Sequence, residues 1–282
     1  RDSKVILCDF IWMGNHAHLL IVAQDAAQCR NFYMELQRKI TEYVKRSLGL
    51  AHLNLWEGAP MLAEILDLEK AISRVVYFYS NPARAHLVET ISDYPGLCSW
   101  QLIYVEKSQH SKEVPWIRFP AVRILPSRQL SDRQDCFITK RLCDGATVKH
   151  ALTYNFDAWM KCFGICEPQE VQSVRDRIRS EVLKIETDLK VKRQTERRRV
   201  LGALRLKQLP IAQSHTPKKK QRAVFVLSSN AQVRKSYIAL VNALCQKCTE
   251  LYKLARSGVS PLEWPPGMFL PPLPPTASAL AD

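Results

Sequence analysis

His16 and His18 stand two apart at the start of a run that reads as a β-strand, so their side chains leave the same sheet face and can converge on one ion or phosphate. Neutral imidazoles are common metal ligands, and a third ligand would have to come from another element. On spacing alone the more ordinary reading is two polar residues beside a turn. Tyr77 and Asn81 lie one helical turn apart, so a phenol and a carboxamide project side by side. At about 100° per residue, Lys70 and Arg74 share their side, while Ile72, Val75, Val76 and Tyr79 cluster on the other. A tyrosine hydroxyl that emerges beside cations near a metal is a candidate nucleophile. Without the histidines, Tyr77 reads as a surface aromatic on a basic helix; Tyr79 reads as core in either case.

The elements that must position these groups follow from the apolar pattern. Residues 4–12 and 18–23, separated by Met13-Gly-Asn15, read as two central, buried antiparallel strands. Asp25 caps a helix whose Phe32, Leu36, Ile40 and Tyr43 should lie on the sheet, with Arg38, Lys39, Lys45 and Arg46 outside; Gly49 ends it, and His52–Pro60 is a loop carrying Trp56. Asp67 caps a second helix, and Pro82 biases Asn81 away from helical geometry, so the helix should end or kink there. Prolines 95, 115, 120 and 126 mark an irregular connector over about 92–135, with short strand-like pieces such as Leu102–Val105. Val171, Val174, Ile178, Val182, Ile185 and Leu189 predict one long amphipathic helix from Glu170 to about Arg199, ending in the basic run 190–199, and Lys218–Arg222 adds a basic loop. A last helix runs from the cap Asn230 to about Arg256, and the proline-rich tail from Trp264 is extended or disordered.

The chain has 282 residues, 46% hydrophobic and 24% charged, which predicts a folded protein of one large or two small domains. A net charge of +14 draws polyanions, nucleic acid first and an anionic membrane surface second. No run approaches the roughly eighteen apolar residues of a membrane span, so no membrane partner is expected. Nine cysteines without a dense framework, and no leader-like opening, point to a reducing cytosol. Strand-like sequence starts almost at Arg1, so a further N-terminal piece is expected. Cys162 with Cys166, and Cys245 with Cys248, have spacings that can build a zinc site, but Cys245 and Cys248 share a stripe with Val241, Leu244 and Leu251, where free cysteine packs as a small hydrophobe.

Met13-Gly-Asn-His-Ala-His-Leu-Leu-Ile21 resembles the histidine–hydrophobic–histidine signature of HUH single-strand nucleases, in the version with Met-Pro-Asn before the first histidine. Tyr77-Phe-Tyr-Ser-Asn-Pro-Ala-Arg-Ala-His-Leu-Val88 is similar to the Tyr-x-x-x-Asn-Pro-Val-Arg-Ala-Gly-Leu-Val element of REP-associated tyrosine transposases, a domesticated branch of the single-tyrosine transposases. The resemblance covers about the first hundred residues, through Asp93-Tyr-Pro-Gly-Leu-Cys-Ser99. Gly14 stands for the usual proline, Ala17 for a larger hydrophobe and His86 for the usual glycine, and the family's first strand is not seen before Arg1.

The resemblance implies an α+β fold: a central antiparallel sheet with flanking helices (HUH, ferredoxin/RRM-like), with a mainly helical basic C-terminal extension added. The corresponding division is a catalytic domain over 1–110, a connector over 111–169 and the basic extension over 170–282. It implies His16, His18 and Asn81 as ligands of a divalent metal (Mg²⁺ or Mn²⁺) and Tyr77 as the nucleophile. A phenol is a poor nucleophile near neutral pH, so the cation would polarise the scissile phosphate and orient it for in-line attack. The product is a 5′-phosphotyrosine with a free 3′-hydroxyl, whose reversal joins strands without ATP. The expected partner is single-stranded or hairpin DNA, bound by Lys70, Arg74 and Arg84 near the site and by the basic clusters further on, each of which also reads as a solvated surface. The protein is expected in the bacterial cytoplasm at the nucleoid, as monomer or homodimer. The rival is a catalytically silent DNA- or RNA-hairpin-binding protein of the same fold.

Overall fold

The computed structural model describes residues 4–48, 52–57, 60–103, 109–118, 142–209, 224–259 and 261–265. Its class is mixed α+β. β1 (Ile6–Trp12) and β2 (Ala17–Val22) pair antiparallel, with Asp9 opposite Leu20 and Ile11 opposite His18, and with a register shift between Leu7 and Asp9. Among the described residues these two strands form a sheet of their own, joined by an isolated bridge between Ile11 and Cys98. β1 buries Cys8 through Ile11, whereas β2 buries only Leu20. The expectation of two central strands is therefore not met among the described residues: β2 pairs with β1 alone, and β1 adds only the single bridge to Cys98.

α1 (Ala26–Leu48) starts where expected. The Gln28 amide donates to the Asp25 carboxylate at 2.7 Å, and the Gln24 amide donates to the Gln28 side-chain oxygen at 2.7 Å, so one orphan donor of the first turn and the amide before the cap are both satisfied. The helix does not bury its apolar stripe on the sheet. Phe32, Leu36 and Ile40 are half-buried and Tyr43 is exposed. Trp56 crosses it instead, its indole N–H donating to the Gln37 carbonyl and the Thr41 hydroxyl. Gly49 lies outside the described residues.

β3 (Glu64–Ile65) leads into α2 (Leu68–Arg84), the helix that organises the molecule. Asp67 caps it through the Lys70 amide, and its second oxygen accepts from the Ser229 amide, which ties β6 (Val226–Leu227) and α6 (Ala231–Arg256) to the start of α2; β3 and β6 pair in parallel. Pro82 does not stop the helix. It continues for two more residues, because the one amide that proline lacks is lost in the final turn, where the Ala85 and Leu87 amides close onto the Asn81 and Pro82 carbonyls. His86 then takes φ +56°, the left-handed turn that accounts for glycine at this place in the resembling motif.

Within 111–169, the described residues 111–118 and 142–169 are more regular than expected, and 119–141 lie outside the described residues. β4 (Gln109–Arg118) and β5 (Leu142–Thr153) pair antiparallel, with a register shift between Pro115 and Ile117. A two-stranded pair has an outward edge on each strand, which is where proline is tolerated. Leu102 closes a short 3₁₀ turn, Trp100–Leu102, where a strand was expected to begin, and Tyr104 and Val105 of that expected strand lie outside the described residues.

α3 (Ala158–Lys161) and α4 (Pro168–Thr195) complete the core, in which Trp159, Met160, Val171, Val174, Ile178 and Val182 pack with Cys8, Ile11, Leu20, Ile72, Val75, Val76 and Tyr79. Each such aliphatic side chain contributes roughly 1.5–3 kcal/mol by burial. The core thus spans the proposed boundaries at 110 and 170. α2 is apolar on more of its surface than β1 covers, and α4 takes the remainder. Polar contacts fix the pair: Arg177 forks onto Glu69, the Ile91 amide donates to Glu186 at 2.6 Å, and Arg193 donates to the Ala83 carbonyl and pairs with Glu89. Arg193 is 2% exposed, so it is withdrawn from the basic run 190–199.

A short α5 (Ala203–Lys207) follows. On α6, Cys248 is buried but Cys245 is exposed, so the expected shared stripe is split. Lys218–Arg222 and the tail beyond Pro265 lie outside the described residues. Among the described residues no helix is long and apolar enough to cross a membrane.

Candidate active site

The turn after β1, the strand β2 and the helix α2 bring His16, His18, Tyr77 and Asn81 together. The Met13 amide donates to the His16 carbonyl at 2.7 Å, closing the turn that presents His16, and His18 follows on β2 opposite Ile11. The two rings meet edge to face at 4.9 Å between centroids. From α2, the Asn81 carboxamide nitrogen donates toward Nε2 of His16 at 3.3 Å and Nε2 of His18 at 3.1 Å. Asn81 is 8% exposed, so it does not sit on an open polar surface as its helical spacing predicts; the imidazoles cover it.

Tyr77, one turn back, is 36% exposed and meets the His18 ring edge to face at 5.5 Å. The Arg74 guanidinium lies 5.8 Å from the Tyr77 ring centroid, and the Arg74 Nε is buried without a hydrogen-bond partner. Arg84 donates from Nε to the Ser80 hydroxyl at 2.9 Å. Lys70, two turns N-terminal of Tyr77, is about 10 Å away along the helix axis and half-buried. Arg74 is therefore at the site, whereas Arg84 and Lys70 flank it along α2.

Burial pushes the His18 imidazole down to about 4, with His16 and Arg74 adding to the effect, and burial also lowers His16. Both rings are neutral at pH 7, the form in which a ring nitrogen offers a lone pair. A half-turn of the Asn81 amide would present its oxygen where its nitrogen now sits. The set then comprises two imidazole nitrogens and a carboxamide oxygen, a donor chemistry that suits a divalent cation. Among the described residues no three His, Cys, Asp or Glu side chains converge on a point, so the cysteine spacings build no such cluster there.

Tyr79 is fully buried, and its hydroxyl donates to Asp9 at 2.6 Å and lies 2.8 Å from the Ser99 hydroxyl. Burial, then the Asp9 charge, raises its pKa well above the usual phenol range. Two residues escaped the sequence reading. Phe78 stacks on His18 at 5.1 Å and 11°, and Asn15 lies 2.7 Å from the His16 Nδ1. The signal for Phe78 was its helical angle, about 100° from Tyr77; for Asn15 it was adjacency within the turn. Comparison of the chain with protein-family models, with curated proteins and with solved structures found no match in any of the three.

Proposed function

We propose that the protein is a metal-dependent HUH single-strand DNA nuclease and strand transferase of the REP-associated tyrosine transposase type, acting on hairpin-containing DNA. The observation that supports this most is the convergence of the His16 and His18 Nε2 atoms on Asn81, with Tyr77 against the same His18 ring. In this reading His16, His18 and Asn81 hold the cation, and two imidazoles favour Mn²⁺ over the harder Mg²⁺. The bound cation would supply Lewis-acid stabilisation of the phosphate charge.

The chain's own groups do the rest. The Tyr77 hydroxyl attacks phosphorus; the bond to the 3′-oxygen breaks, that oxygen leaves as a 3′-hydroxyl with the phenol's proton, and a 5′-phosphotyrosine remains. Attack by a second 3′-hydroxyl reverses the step and releases Tyr77. Arg74, beside the phenol, sits where it offsets charge on the phosphate or on the departing phenolate, and Lys70 and Arg84 hold the flanking strand.

The test is incubation with single-stranded hairpin DNA and Mn²⁺, followed by denaturing electrophoresis and mass spectrometry. A protein–DNA adduct on Tyr77 that disappears in Tyr77→Phe supports the reading. Tight binding without any adduct replaces it with a silent binding module, and preferential binding of RNA hairpins reverses the substrate assignment.

A further inference from the structure

We propose that Asn15 is a positioning residue that sets the tautomer of His16 and so aims its Nε2 lone pair at the point shared with His18 and Asn81. The inference rests on the metal-binding reading above but is tested on the metal-free protein. The carboxamide Oδ1 of Asn15 is 2.7 Å from the His16 Nδ1. A carboxamide oxygen only accepts, so a hydrogen bond at that distance requires the proton on Nδ1. Nε2 is then left with its lone pair.

The other end of the ring agrees. The Asn81 NH₂ has two hydrogens and two neighbours, Nε2 of His16 and Nε2 of His18, and each must accept. A proton on the His16 Nε2 would face an amide hydrogen there and would set two lone pairs against each other at Nδ1. Turning Asn81 over would remove the first conflict but not the second. Asn15 is therefore the group that decides, since the ring is free to carry its proton on either nitrogen and an unconstrained imidazole prefers Nε2. His18 is held differently: the Phe78 ring lies parallel to it, 11° off, and fixes its plane. One histidine is aimed by an acceptor and the other by a stack.

The role of Asn15 is exerted through the His16 ring, so its signature is spectroscopic. In long-range ¹H–¹⁵N correlation spectra of the metal-free protein at one neutral pH, His16 should show the Nδ1–H pattern. Asn15→Leu, close in size but without an acceptor, should shift His16 toward the Nε2–H pattern with His18 unchanged, and weaken Mn²⁺ binding about 10–100-fold, read from the free-ion paramagnetic resonance signal. Asn15→Asp should restore both. An Nε2–H pattern for His16 in the wild-type protein overturns the proposal whatever the variants do, as does an Asn15→Leu protein that folds with the wild-type pattern. Should the tautomer depend on Asn15 while no DNA adduct forms, the nuclease reading fails and the role of Asn15 stands.

Discussion

On one side of α2 the Tyr77 ring is open to solvent and meets ring edges and a guanidinium; two residues on, the Tyr79 ring is sealed between β1 and Trp100, with its hydroxyl committed to Asp9 and Ser99. Both are phenols on the same helix, about 200° apart around its axis. Reaction at Tyr79 would require breaking two buried hydrogen bonds and admitting a polyanion to a closed core. Tyr77 needs neither. Residue type alone does not separate the two phenols; the side of the helix does, and in the proposed reaction it is the open one, facing the histidines, that is the nucleophile.

The sharpest way to break this contrast is to exchange the two losses. Tyr77→Phe should reduce adduct formation by more than about 10³-fold, with unfolding free energy changed by less than about 0.5 kcal/mol. Tyr79→Phe should do the reverse: adduct retained, stability reduced by about 1–3 kcal/mol in chemical denaturation, since Asp9 loses a buried donor. An adduct on Tyr79, or a Tyr77→Phe protein that still reacts, would invert the assignment.

The sealed side also titrates. Burial raises Asp9 to about 7, against about 3.9 for an unfolded aspartate. The unfolded chain then releases its proton first, so the protonated native form is favoured below pH 4 and the advantage is lost as pH rises through 7, on the order of 4 kcal/mol in all. His18, held neutral down to about 4, works in the opposite sense between about 4 and 6.5, because its contribution is present above the ordinary histidine value and lost on acidification. The readout is therefore the difference between wild type and Asp9→Asn at each pH. Relative to wild type, Asp9→Asn should gain stability steadily from pH 4 to 7; a constant difference would show that Asp9 is not buried protonated.

Further along, the sealed side ends in the Arg193–Glu89 pair beneath the last turn of α2. Glu89→Ala leaves a buried guanidinium without its partner and should cost about 3 kcal/mol. The adduct yield of the folded fraction should be unchanged, because Glu89 follows Tyr77 by two helical turns and a loop. The smallest effect is expected at His86, whose φ of +56° glycine adopts more easily. His86→Gly should stabilise by about 1 kcal/mol and leave the open side untouched.

Much of the site was legible because it is written in local periods. A period of two put His16 and His18 on one face, and a turn of helix put Asn81 beside Tyr77 and Tyr79 away from both. Caps at Asp25, Asp67 and Asn230 were legible for the same reason: an N-cap is a bond between neighbours in sequence. The errors are of the other kind. Pro82 was weighed by its own conformational bias, whereas only its distance from the helix end decides what its missing amide costs. Arg193 looked like its cationic neighbours until Glu89 and Ala83 were found around it, more than a hundred residues earlier in the chain.

Two periodicities, 2 and 3.6, together with residue chemistry, sufficed to determine from the sequence alone that His16 shares a face with His18 and Tyr77 with Asn81, that helices start at the caps Asp25, Asp67 and Asn230, and that the chain carries a net positive charge. That the two faces meet was a decision of the tertiary structure. β1 and α4 each bury one side of α2, and that double burial sets the rotation of the helix about its axis. A rotation of a helix is a property of what packs on it, and no local pattern encodes it.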